Sequence, residues 1–219
     1  ETMVILRHAD YHGLTLNSKA LHHFSIEDHT GILKEERANQ VMKMLDKPDK
    51  QALKNMLKHA IETLYRFGVT GADSDDLAYF NGFHETVEIF EEVLEELPFR
   101  THLLIHHHAL SDFITSKRPW GVQHPYLEFG AVKMFYDGTM SSNTALMSSP
   151  YRDENQQGEV VLGRGAFLQV LKEARKQGMT AAIHVIGDLG LKEVCQLLKD
   201  YPPKDYEKDR IIHACWAMN

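Results

Sequence analysis

The sequence predicts an α/β fold, a partial (β/α)8 TIM-barrel with a small N-terminal insertion segment, and three observations predict it. Short apolar, β-rich runs alternate with helix-period patterns, as expected of parallel strands joined by right-handed crossovers. Polar residues gather at or just beyond the carboxyl ends of those strands: Asp73, His106, His108, Asp137, His184, Asp188 and His213. In a (β/α)8 barrel that is the face where chemistry is built. About five strands can be found in 219 residues, whereas a complete eight-stranded barrel usually takes ~250 residues. No Gly-rich phosphate loop follows any strand, which disfavours a nucleotide-binding doubly wound sheet.

The chain opens on a strand at 3–6. Residues 14–24 mix polar and apolar side chains, and Asn17-Ser18 caps a short helix at 19–23. A loop runs to Gly31. Val41, Met42 and Leu45 make 34–45 an amphipathic helix that Lys47-Pro48-Asp49 ends. A stronger helix at 51–67 carries Leu53, Met56, Leu57, Ala60, Ile61 and Leu64 at three-four spacing and stops at Gly68. A strand at 69–72 follows. The pattern then repeats: helix 81–97, strand 101–107, a short helix near 110–115, strand 131–136, helix 164–177, strand 180–184, helix 189–200 and strand 210–213. This divides the chain into an insertion and substrate-loop segment at 1–48 and the partial barrel at 49–219, covering about strands 2 to 6 of the eight.

Composition excludes several classes. The formal charge is −7, with 31 Asp+Glu against 24 Lys+Arg, so clustered positive charge for nucleic acid is lacking. The longest apolar runs, such as 103–105 and 180–183, fall far short of the ~20 residues a membrane span needs. Two cysteines, Cys195 and Cys215, do not make a disulfide framework, and both read as reduced in a cytoplasmic protein. Nothing at Glu1-Thr2-Met3 resembles a signal peptide, and both ends of the chain look cut. Missing strands would leave apolar surface exposed, so self-association is expected.

Lys133 lies inside the apolar stretch 129–136, where a free ammonium is costly unless paired or neutralised. Two solutions stand open: carbamylation, which turns the amine into a carboxylate-like group able to bridge two metal ions, or a salt bridge to Asp137 or Asp188. His184 and His213 end successive strands, and so converge on one mouth as two neutral nitrogen ligands for zinc or a similar ion. A single such histidine reads as a hydrogen-bonded core residue; two beside a buried lysine point to a metal site. Asp73, Asp75 and Asp76 read as turn residues capping the next segment. The acidic run 85–96 reads as the solvated face of a packed helix, and His22-His23 as a surface pair.

These residues resemble a known family. The stretch 130–146, GAVKMFYDGTMSSNTAL, is similar to the GAVKxFxDGxxxxxTAL signature of the family 3 amidohydrolases, the group similar to N-substituted formamide deformylases. Residues 184–188, HVIGD, match its HxxGD element, and 210–214, RIIHA, its RIxHx strand. Upstream, 10–21, DYHGLTLNSKAL, resembles the DxHxxxxNSxAL insertion, and 30–33, TGIL, the TGxL that follows.

The resemblance implies the central part of a metal-dependent hydrolase on a distorted TIM barrel. It implies cleavage of an amide or other non-peptide C–N bond of a small molecule by metal-activated water. Lys133 would be the carbamylated, metal-bridging lysine, and His184 and His213 ligands of a second metal. One or two divalent ions, zinc foremost, would be held. His12 would approach the substrate pocket, and Asp137 belongs to the same substrate-contacting set. The family's His-x-His pair and its late Asp, the general base, are expected outside this chain, so the isolated chain is expected to be inactive. His106-His107-His108 falls on the family's third strand, where no ligand is expected. The alternative reading is a non-catalytic fragment or binding domain with an incomplete metal site.

Overall fold

The computed structural model describes residues 2–9, 11–45, 47–152, 155–204 and 207–216. Asp10, which opens the first insertion motif, lies outside them.

The N-terminal part builds its own small core. Strands β1 (Ile5–Arg7), β2 (Gly13–Leu16) and β3 (Ile32–Lys34) form an antiparallel sheet in that order. Helices α1 (Ser18–His23) and α2 (Glu35–Met44) pack on it through Leu14, Leu16, Ala20, Leu33, Ala38 and Val41. The expected cap is present: the Asn17 side chain accepts from the Ala20 amide at 3.0 Å. Asp28 Oδ1 accepts from the backbone of Thr30 and of Gly31, both at 2.9 Å, and so folds the turn into β3. Gly31 sits at φ +72° with Leu16 O 2.3 Å from where a Cβ would be, so glycine is required there.

Strands β2 and β3 correct the sequence reading, which gives 14–24 as a polar and apolar mixture, assigns no element to 32–33 and starts a helix at Lys34. Leu14 and Leu16 alternate correctly, but over four residues a period of two is too short to separate from irregular chain.

The remainder forms a curled half-barrel. It comprises α3 (Lys50–Arg66), β4 (Gly71–Ser74), α4 (Phe83–Glu96), β5 (Arg100–His106), α5 (Leu110–Ser116), β6 (Gly121–His124) and β7 (Leu127–Phe135). It continues with α6 (Arg164–Lys176), β8 (Ala181–Val185), α7 (Asp188–Asp200) and β9 (Arg210–His213). Strands β4-β5-β7-β8-β9 run parallel in that order, the partial TIM-barrel expected. The strand β6, which the sequence reading passed over, pairs antiparallel with the start of β7. Strand β4 begins two residues later than expected.

The outward faces of the strands carry the main core. Leu103, Ile105, Val132, Met134, Ile183 and Val185 pack against Val87, Phe90 and Val93 of α4, Phe167 and Leu171 of α6, and Val194 of α7. Each such side chain contributes roughly 1.5–3 kcal/mol by leaving water. The acidic face of α4 is not simply solvated: Glu88 and Glu92 pair with Lys50, Glu92 also with Lys54, and Glu96 with Lys58 on α3. Inside the curl, Leu104, Ala131 and Ala182 form a small apolar floor with Ile212.

One irregularity decides what that interior presents. Register runs Leu103↔Phe129, then Ile105↔Val132, so β7 carries one extra residue at Gly130-Ala131. Before this bulge Leu127 and Phe129 face the helices; after it Val132 and Met134 do, and Lys133 turns inward beside His106. A Cβ on Gly130 would fall 2.0 Å from the His102 ring, and Trp120 Nε1 donates to Gly130 O at 2.8 Å.

Candidate metal centre

The strand ends bring the expected residues to one mouth. Lys133 is buried, with Nζ 4.1 Å from the centre of the Phe135 ring. Phe135 is also 5.2 Å from the His184 ring and 5.8 Å from that of His106. His184 and His213 lie with ring centroids 4.7 Å apart. His213 reaches this position at φ +76°, a left-handed conformation at the strand's last residue that breaks the alternation of β9.

The protonation of His184 follows from its bond. Its Nε2 is 3.0 Å from Gly138 O, which can only accept, so Nε2 carries the proton and Nδ1 the lone pair. Burial pushes this ring down to about 4, so it is neutral at physiological pH. Burial also lowers His213. Lys133 is held below the ordinary lysine range by burial, with the charge of Asp75 opposing. Asp75 is raised by burial, with the Lys133 charge opposing, and Tyr79 Oη donates to its Oδ2 at 3.4 Å.

The carboxylate whose charge acts on Lys133 is thus Asp75, and among the described residues neither Asp137, Asp188 nor Asp75 makes an ion pair with it within 4.0 Å. Sequence reading placed Asp75 among capping turn residues; a signal existed in its position just past β4, on the same rim as the other candidates. Asp137 is fully buried. Its Oδ2 accepts from Leu146 N at 2.9 Å and Gly187 N at 2.8 Å, and its Oδ1 from Ile186 N at 2.9 Å. These bonds tie the loop after β7 to the loop after β8. Asp188 Oδ1 accepts from Ser148 N at 2.8 Å and secures the same junction.

The N-terminal sheet delivers His12 to this mouth. Its ring lies 5.9 Å from that of His184, and Nδ1 is 3.0 Å from Glu35 Oε2. Glu35 Oε1 also accepts from Thr144 Oγ1 at 2.6 Å, joining the insertion to the loop after β7. Lys34 Nζ adds a bond to Ser142 O at 2.9 Å. Glu35 was not singled out from the sequence, since its acidic side chain at a helix start reads as an ordinary dipole partner.

At the end of β5, His106, His107 and His108 stack, with centroids 4.5 Å apart for the first two and 4.0 Å for the last two. Burial pushes His106 down to about 3 and His107 to about 4, and lowers His108 as well.

The chain matches a family model, the Amidohydrolase family, over residues 1–219. The chain belongs to the amidohydrolase family. It is 30% identical over 231 residues to "Putative amidohydrolase YtcJ" of Bacillus subtilis (strain 168), across 96% of this chain and 43% of that protein. It is 27% identical to "Protein LONG AFTER FAR-RED 3" of Arabidopsis thaliana, across 75% of this chain and 29% of that one. Two solved structures, titled as uncharacterized metal-dependent hydrolases, superpose on the whole chain. That from Pyrococcus horikoshii OT3 gives a TM-score of 0.75 at 25% identity over 45% of its length. That from Pyrococcus furiosus gives 0.76 at 22% over 47%, a likeness of fold. This amidohydrolase chain therefore spans less than half the length of the relatives it matches.

Among the described residues, no helix is long and apolar enough to cross a membrane. Cys195 and Cys215 are both free thiols.

Proposed function

We propose that this chain is the central part of a metal-dependent amidohydrolase. It hydrolyses an amide or other non-peptide C–N bond of a small molecule, with zinc as the metal, in the cytoplasm. Residues 1–48 act as the insertion and substrate-loop segment, and 49–219 as the partial barrel. The observation that carries this reading is the meeting of His184, His213 and buried Lys133 at the ends of three adjacent parallel strands.

The donor set fits a divalent ion. His184 has its Nε2 proton on a backbone carbonyl and its Nδ1 lone pair available, the arrangement of a metal-ligating imidazole. Burial brings Lys133 down to about 8, which raises the share of the free amine that carbamylation needs. His184, His213 and carbamylated Lys133 would hold the ion. When bound it supplies Lewis acidity toward a carbonyl and makes water acidic enough to be a nucleophile near neutral pH.

The chain's own residues do the rest. His12, held by Glu35, orients toward the substrate from the insertion. Phe135 lies against both Lys133 and His184 and lines the mouth. Asp137, first expected to contact substrate, is reassigned here to positioning, because both its oxygens are engaged by backbone amides of the two rim loops.

The general base comes from the part of the longer protein that this chain does not span. The isolated chain therefore shows no turnover of amide substrates such as N-substituted formamides, while the longer protein hydrolyses them and loses activity on Lys133→Ala. Chelator-sensitive turnover by the isolated chain contradicts this assignment of the base.

A further inference from the structure

His106, His107 and His108 each offer a ring nitrogen, and these atoms all lie within 4.8 Å of one another. Along a continuing strand His107 would point away from its neighbours. Here β5 ends at His106 and the chain enters a 3-10 turn at His107–Ala109, which swings the ring back onto the other two.

The three rings differ in what they still need. His107 Nδ1 is buried without a hydrogen-bond partner among the described residues. A buried ring nitrogen left without a partner beside two further imidazoles is open to an ion that the three could share. His108 is exposed and gives an entry path, and the charges of Glu36 and Lys43 on α2 act on it. His106 Nδ1 accepts only a 3.2 Å bond from His108 N, which an ion can replace.

We propose that His106, His107 and His108 form a second cation site, holding one borderline divalent ion such as Zn2+, Co2+ or Ni2+, separate from the Lys133, His184 and His213 mouth. Three imidazoles with no thiolate among them select this class over Ca2+ or Mg2+, which take oxygen donors. Being independent of the hydrolase reading, the site stands even if the mouth holds nothing.

The test is Co2+ titration of the whole chain, followed by visible absorption and by metal counting. With the mouth disabled by Lys133→Ala and His184→Ala, the chain retains one equivalent of Co2+. Adding His108→Ala weakens that binding by about tenfold or more. His108 is exposed, so its removal leaves the fold intact, and circular dichroism checks this. If the double variant misfolds, the same weakening of one equivalent is read from His108→Ala and His107→Gln in the otherwise unchanged chain. Co2+ affinity unchanged by both substitutions, or no Co2+ bound with the mouth disabled and the fold intact, overturns the proposal.

Discussion

Asp137 shows how much a single side chain carries here. Burial raises its pKa, with the amide bonds from Leu146, Gly187 and Ile186 opposing, so the carboxylate is costly and is tolerated because it gathers three donors. Asp137→Ala leaves those donors buried without an acceptor, at roughly 1–3 kcal/mol each. A loss of about 3 kcal/mol or more in urea unfolding is expected, with the rim loops released before the core. The residue's place in the DG pair was legible in the sequence, and so were Lys133, His184 and His213, because a charged or metal-binding type stands out in an apolar strand. What each one touches was not. The charges of Asp75, just past β4, and Lys133 on β7 act on each other across 58 positions of sequence, which no local pattern encodes.

At the scale of elements, the helices and long strands read well because their periods repeat several times, as in α3 with Leu53 and Ile61 on one face. The extra residue in β7 was not read, although a glycine inside a strand, Gly130, is a signal for a bulge, and it turns Lys133 into the barrel. The docking of the N-terminal sheet rests on a carboxylate. Burial alone would raise Glu35, but the bonds from His12 and Thr144 outweigh it and hold the residue below its ordinary 4.5. A depressed folded-state pKa gives stability that is full above the ordinary value and lost as pH falls through the folded value. The chain should therefore lose this contribution as pH drops below 4.5, and Glu35→Gln should flatten that part of the curve. Paired acid titrations by circular dichroism measure the difference; identical acid limbs would show that Glu35 does not hold the insertion.

At the scale of the molecule, Asp73 of β4 and Arg210 of β9 form an ion pair between the two end strands of the sheet. The sheet is thus curled enough for its ends to reach one another. Among the described residues, β4 and β9 each have one edge without a strand partner, and such edges template association. Sedimentation of the isolated chain should show concentration-dependent self-association, and a strictly monomeric profile across the range would count against it. The partial barrel was legible because strand and helix alternate at barrel spacing, while the curl that brings Asp73 to Arg210 joins residues 137 positions apart and leaves no local pattern.

The central claim is that Lys133, His184 and His213 form one metal centre, and metal counting on the purified, tag-free chain tests it most directly. After exchange into Zn2+ and removal of loosely held ions, plasma mass spectrometry should find one equivalent fewer in Lys133→Ala, in His184→Ala and in His213→Ala than in the unaltered chain. Equal zinc in all four proteins, each folded by circular dichroism, would contradict the account.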